Sequence, residues 1–81
     1  MSEKDIVAFE FAGKEFEADS HAAVSWSVIK GMVTGGREMF AAFDRLFAGK
    51  ADEYAEDLGD DMEEMARLAS AAIEAAKGKN S

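Results

Sequence analysis

Side chains able to make and break bonds are few in this sequence, and they do not converge. The single histidine, His21, has no second histidine beside it and no Ser or Asp at a spacing that would make it a general base, so it reads as a polar residue in the first turn of a helix. Asp57, Asp60, Asp61 and Glu64 are close enough in sequence to be weighed as calcium ligands. They lack the Asp-x-Asp-x-Asp-Gly spacing that wraps a loop round the ion, and helix caps account for them better. Gly35-Gly36 is no phosphate cradle, because a helix precedes it where a strand is needed and Arg37-Glu38 follows where Lys and Ser or Thr are needed. With no cysteine, a disulfide framework, a thiolate zinc site and a cysteine nucleophile are all excluded. The expectation is therefore no catalysis, no cofactor and no metal.

The chemistry that the sequence does carry is apolar. Read as a helix, the stretch from Glu38 to Phe47 puts Met39, Phe43 and Leu46 with Phe40 and Phe47 on one broad stripe, while Glu38, Asp44 and Arg45 fall elsewhere. Each such side chain stabilises by roughly 1.5–3 kcal/mol when fully buried, so the stripe must face the rest of the chain, a partner, or both.

The elements that position this stripe follow from a change of period. Residues 6–11 and 15–18 alternate, with Val7, Phe9, Phe11, Phe16 and Ala18 on one side and Ala8, Glu10, Glu15 and Glu17 on the other. Ala12-Gly13-Lys14 supplies a hairpin turn, with the loop either Ala12-Gly13 or Gly13-Lys14. A lone hairpin is marginal in water, so helices must cover its aromatic face. Asp19 or Ser20 is the expected N-cap of a helix from about His21 to Val33, with Ala22, Trp26, Ile29 and Val33 on one apolar row, Val24, Val28 and Met32 on an adjacent one, and Trp26 in the core. Gly35-Gly36 ends that helix, the stripe follows, and Ala51, Tyr54, Ala55 and Leu58 mark a short third helix closed by Gly59. Asp60 with Glu63 resembles a capping box for a last helix from Asp61 to about Lys77. There Met62, Met65, Ala69, Ala72 and Ala76 form a seam narrow enough for another helix to approach closely, from this chain or another. The expected fold class is α+β: one domain over residues 1–77, an N-terminal β-hairpin packed on three to four α-helices, and a disordered tail at 78–81.

Length and charge set the outer bounds. A chain of 81 residues buries only somewhat more than about 60% of the surface that its unfolded form exposes, which is enough for one modest core. No apolar run approaches the roughly 18 residues of a membrane span, and no signal peptide opens the chain, so a cytoplasmic protein is expected. Of the net charge of -8, all the excess lies in residues 52–64, which hold eight acids and no base. That face would repel phosphate, so nucleic acid is not an expected partner. It is either a solvated surface that keeps the protein soluble or a face for a basic protein. Surface attachment to a membrane is opposed by the same acidic polar faces.

Taken together, the hairpin Phe9-Glu10-Phe11-Ala12-Gly13-Lys14-Glu15-Phe16, the helix Phe40-Ala41-Ala42-Phe43-Asp44-Arg45-Leu46-Phe47, Gly49, the stretch from Asp52 to Leu58 and the stretch from Met62 to Ile73 resemble the small tail assembly chaperones of long-tailed bacteriophages and related prophages. The resemblance rests on order and spacing and covers most of residues 6–76. It implies a non-enzymatic protein of the bacterial host cytoplasm that binds the tape measure protein and keeps its apolar helices soluble until tube protein polymerises around them. It also implies a longer form, made by ribosomal frameshifting near Gly78-Lys79-Asn80, that recruits the tail tube protein. Those three residues can be encoded with the slippery heptamer A AAA AAC. On this view Met39, Phe40, Phe43, Phe47, Met62 and Met65 are the candidate partner-binding residues, with the edge nearest Met39 and Phe40 foremost. Five methionines and six phenylalanines suit a groove for a helix. The competing expectations are that Phe40, Phe43 and Phe47 are plain core, and that the chain is a small structural or regulatory protein that forms homo-oligomers through its last helix.

Overall fold

The computed structural model describes residues 5–80, with side chains to Gly78. Strands β1 (Ile6–Phe11) and β2 (Lys14–Asp19) form an antiparallel hairpin in which Phe9 lies opposite Phe16 and Phe11 opposite Lys14. This register makes Ala12-Gly13 the two-residue loop, and both residues have positive φ, 53° and 77°, as a type I′ turn requires. Phe16 and Ala18 are buried and Val7, Phe9 and Phe11 are half-buried, while Ala8, Glu10, Glu15 and Glu17 face water. The alternation thus separates a dry face from a wet one, as expected, and the fold is α+β.

The cover over the dry face comes chiefly from the last helix. α5 (Met62–Asn80) lies across β1 and across the short helix α1 (Ser20–Ala23), burying Met65, Leu68, Ala69, Ala72 and Ala76. The alanine seam therefore closes on its own chain. The helix also runs on through Gly78 to Asn80, so three of the four residues expected to be disordered are helical. Ser81 lies outside the described residues.

Asp19 caps α1 as expected, its Oδ1 accepting from the amides of His21 at 2.9 Å and Ala22 at 3.2 Å. His21 Nε2 sits 3.1 Å from the carboxylate of Asp5, and Ser20 Oγ donates to the Asp5 carbonyl at 2.8 Å, so two side chains of α1 hold the start of the hairpin. This pairing was not visible in the sequence spacing.

The single helix expected from His21 to Val33 is two helices. α1 stops at Ala23, and α2 (Trp26–Thr34) begins after Ser25, which has extended backbone angles and shares a 3.0 Å hydroxyl contact with Ser27. Serine hydroxyls that bond locally compete with a continuous helix, and Ser25 is a residue type that starts one. The break parts Ala22 from the row drawn through it, Trp26, Ile29 and Val33, and the part of that row within α2 turns away from the core. Ala22, Ala23 and Val28 are buried, whereas Trp26 is 78% exposed and Val33 83% exposed. The expected place of Trp26 in the core is thus corrected.

α2 turns back through Gly35 into α3 (Gly36–Leu46), and the two helices pack as an antiparallel hairpin. They approach closely at Gly31, where an added Cβ would lie 2.9 Å from the Glu38 carbonyl oxygen and 3.1 Å from Ala42 Cβ. In an open helix, Gly→Ala gains about 0.5–1 kcal/mol of helix propensity, but overpacking against a fixed backbone costs about 1–3 kcal/mol. Overpacking wins here: Gly31→Ala should lower the urea midpoint. An unchanged or raised midpoint would mean that the α2–α3 pair separates freely.

α3 and the short α4 (Ala51–Asp57) end alike. Ala48 N donates to Arg45 O and Gly49 N to Asp44 O, while Gly59 N donates to Glu56 O and Asp60 N to Ala55 O, and in each case the last carbonyls are satisfied by a left-handed pair of residues. Asp60 is taken up in closing α4, with φ 58°. The cap of α5 is therefore Asp61, whose Oδ1 accepts from Glu63 N at 2.8 Å and Glu64 N at 3.2 Å, and the N-cap expected at Asp60 is displaced by one residue. Glu63 and Glu64 both pair with Arg67, at 2.7 and 2.6 Å.

An aromatic cluster locks the layers together. The Tyr54 ring meets Phe16 edge-on at 4.9 Å and Phe47 at 5.5 Å, and Phe43 stacks on Phe47 at 6.3 Å. The Glu17 amide, which points away from β1, donates to Tyr54 Oη at 3.0 Å. Beside it, Lys50 Nζ reaches Glu17 at 3.1 Å, and this hydrogen bond, followed by the charges of Tyr54 and Glu17, holds the ammonium above its ordinary value of 10.5. A raised lysine value means that the pair is intact at neutral pH and is lost only as pH rises through that value. Tyr54→Phe leaves the Glu17 amide without its partner at a part-buried position, and should cost about 1–3 kcal/mol in chemical denaturation. A loss below the error of the measurement would show that water replaces the hydroxyl.

Candidate functional site

A hollow opens where α3, α4 and the start of α5 meet. It has a volume of about 630 Å³. α3 contributes Arg37, Phe40, Ala41, Phe43 and Asp44, and α4 contributes Ala51, Asp52 and Ala55. Asp60, Asp61, Met62 and Met65 complete it. A second hollow of about 280 Å³ lies on the other side of Phe43 and Met62, which line both. Its walls are Ile29, Met32 and Val33 of α2 with Met39 on one side, and Ala66, Ala69, Ser70 and Ile73 of α5 on the other. The two hollows adjoin at Phe43 and Met62, and together they make up the cleft along the seam between the α2–α3 hairpin and α5.

The local sequence explains the shape. α3 and α5 each bury one apolar row, and the residues next in the helical sequence are left at the lip. Phe43 and Met65 are buried and form the floor, whereas Phe40 is 62% exposed and Met62 42% exposed. An exposed phenylalanine facing an exposed methionine over a buried apolar floor is an arrangement that accepts apolar side chains, with methionine adapting to their shape.

Of the six residues singled out from the sequence, five meet in this cleft: Phe40, Phe43, Met62 and Met65 in the larger part, and Met39, with Phe43 and Met62, in the smaller. Phe47 does not. It is fully buried beneath Tyr54, because it follows the last turn of α3 and its ring turns inward to the hairpin. Sequence reasoning missed Ile29 and Val33 as cleft walls, having placed them on one row with Ala22, from which the break at Ser25 parts them. Ser25 and Ser27 two residues apart were the available signal.

The polar lining is uneven. Four aspartates, Asp44, Asp52, Asp60 and Asp61, stand against Arg37 around the larger hollow, while the smaller has no charged residue in its lining. No group of three or more His, Cys, Asp or Glu side chains among the described residues is placed to hold a metal ion. No helix among them is long and apolar enough to cross a membrane. Compared with protein-family models, with curated proteins and with solved structures, the chain matches none of them.

Proposed function

We propose that this chain is a tail assembly chaperone of a long-tailed bacteriophage or prophage, which binds apolar helices of the tape measure protein in the host cytoplasm and keeps them soluble during assembly of the tail tube. The observation that supports this reading most is the cleft itself. Phe40 and Met62 stand exposed over a floor of Phe43 and Met65, and a folded domain gains nothing in stability from leaving them there. A groove between helices is a common receptor for an amphipathic helix, which lays its apolar face into it. In the same proposal, a frameshifted longer form carries the segment that recruits the tail tube protein. The test is co-expression with the long helical protein that this proposal places in a neighbouring gene: the soluble fraction of that protein should rise several-fold in the presence of this chain. No rise, with the two proteins fractionating independently, would refute the chaperone role.

One observation favours a second reading, in which the chain has no client and self-associates. The last helix is a poor candidate for that contact, since its alanine seam is internal, but Trp26, exposed and outside the lining of both hollows, leaves a large apolar side chain on the outside of α2. Sedimentation of wild type against Trp26→Asp separates the two: an oligomer that the substitution dissolves, together with no effect on any neighbouring protein, favours self-association.

A further inference from the structure

The cleft changes in character along its length. Between α2 and the middle of α5 its lining is uncharged, and between α4 and the start of α5 it holds four aspartates against Arg37, a net charge of -3. We infer that the cleft is a polarised receptor for an amphipathic helix whose apolar row runs along the seam and whose Lys and Arg residues cluster at one end, beside Asp44, Asp52, Asp60 and Asp61. This inference rests on the reading of the cleft as a client site and adds the chemistry and orientation of what fills it.

Three observations carry it. The walls are chiefly side chains of helices and none is a strand edge, so the cleft offers no ladder to an extended segment, and an occupant is favoured that arrives with its backbone bonds satisfied. A helix does so. The aspartates are exposed and ring a desolvated apolar floor, where an occupant's lysines can reach them while their stems cover Phe40 and Met62. Finally, the uncharged end would strand a buried lysine with no partner, so the two ends are not interchangeable. A helix of about 18 residues is about 27 Å long and matches the 30 Å extent of the molecule.

The test uses the whole protein and three fluorescein-labelled synthetic peptides of about 18 residues with the same leucine row. One carries lysines in the turns at one end, one carries the same number divided between both ends, and one has glutamine in their place. The one-ended peptide should bind about tenfold more tightly than the two-ended one, and high salt should remove the difference. Asp52→Asn with Asp60→Asn should also remove it without changing binding of the glutamine peptide. Asparagine tolerates the left-handed backbone at residue 60, so the fold is retained. If all three peptides bind equally and Phe40→Asp abolishes all binding, the cleft is a client site but the polarity is refuted. If no peptide binds, or binding ignores Phe40→Asp, both the polarity and the client site are refuted. A dimer dissolved by Phe40→Asp would mean that a second copy fills the cleft, which also overturns the inference.

Discussion

Phe47→Ala should remove a large part of the protein's stability. The ring is fully buried, stacked on Phe43 at 6.3 Å and edge-on to Tyr54 at 5.5 Å, at the point where α3, α4 and the hairpin meet. Removing a buried phenylalanine costs about 3–5 kcal/mol, from lost transfer energy and the cavity left behind. A domain of 81 residues has a total stability of about 4–12 kcal/mol at typical values per residue. The variant should therefore populate the unfolded state appreciably, seen as a large fall in melting temperature by far-UV circular dichroism. A fall of only a few degrees would mean that Phe43 or Tyr54 collapses into the space, and that the aromatic cluster is less rigid than its contacts imply.

Phe40→Asp, seven residues earlier, should do the opposite: leave the fold intact and remove client binding. Phe40 is largely exposed, and aspartate in a helix interior costs well under about 1 kcal/mol relative to phenylalanine. At a binding surface, loss of an aromatic anchor typically costs about 2 kcal/mol or more, roughly thirtyfold in affinity, and a carboxylate on an apolar lip must also be desolvated. The binding effect should exceed the stability effect several-fold. Circular dichroism and a co-purification assay on the same preparation check both halves, and loss of helicity together with loss of binding would place Phe40 in the core.

The contrast between these two phenylalanines marks how far the sequence could be read. Period-two alternation with Gly13 in the turn was sufficient for the hairpin and its dry face, because each strand has one buried side. The stripe of α3 was equally plain, yet spacing alone gave Phe40 and Phe47 the same standing. The difference is tertiary: Phe47 follows the helix end and turns toward Tyr54, while Phe40 faces the gap before α5. Trp26 was misplaced for a local reason, since two serines reset the phase of a helix that was read as continuous. The cap at Asp61 was missed by one residue because the left-handed end of α4 needs two residues, Gly59 and Asp60, and only the glycine announces itself. The acidic end of the cleft was visible as a charge run, but which side of the molecule it would face was not, because that depends on how the α4–α5 connection folds back against α3.

The central claim is that the cleft, rather than the outer face of α2, is where a client helix docks. Co-expression of the long helical client that the proposed function calls for with wild type, Phe40→Asp and Trp26→Asp tests it most directly, with the soluble client measured in each case. The account predicts that wild type and Trp26→Asp keep the client soluble and that Phe40→Asp, though folded, does not. A folded Phe40→Asp that rescues the client as well as wild type, with Trp26→Asp failing, would contradict it.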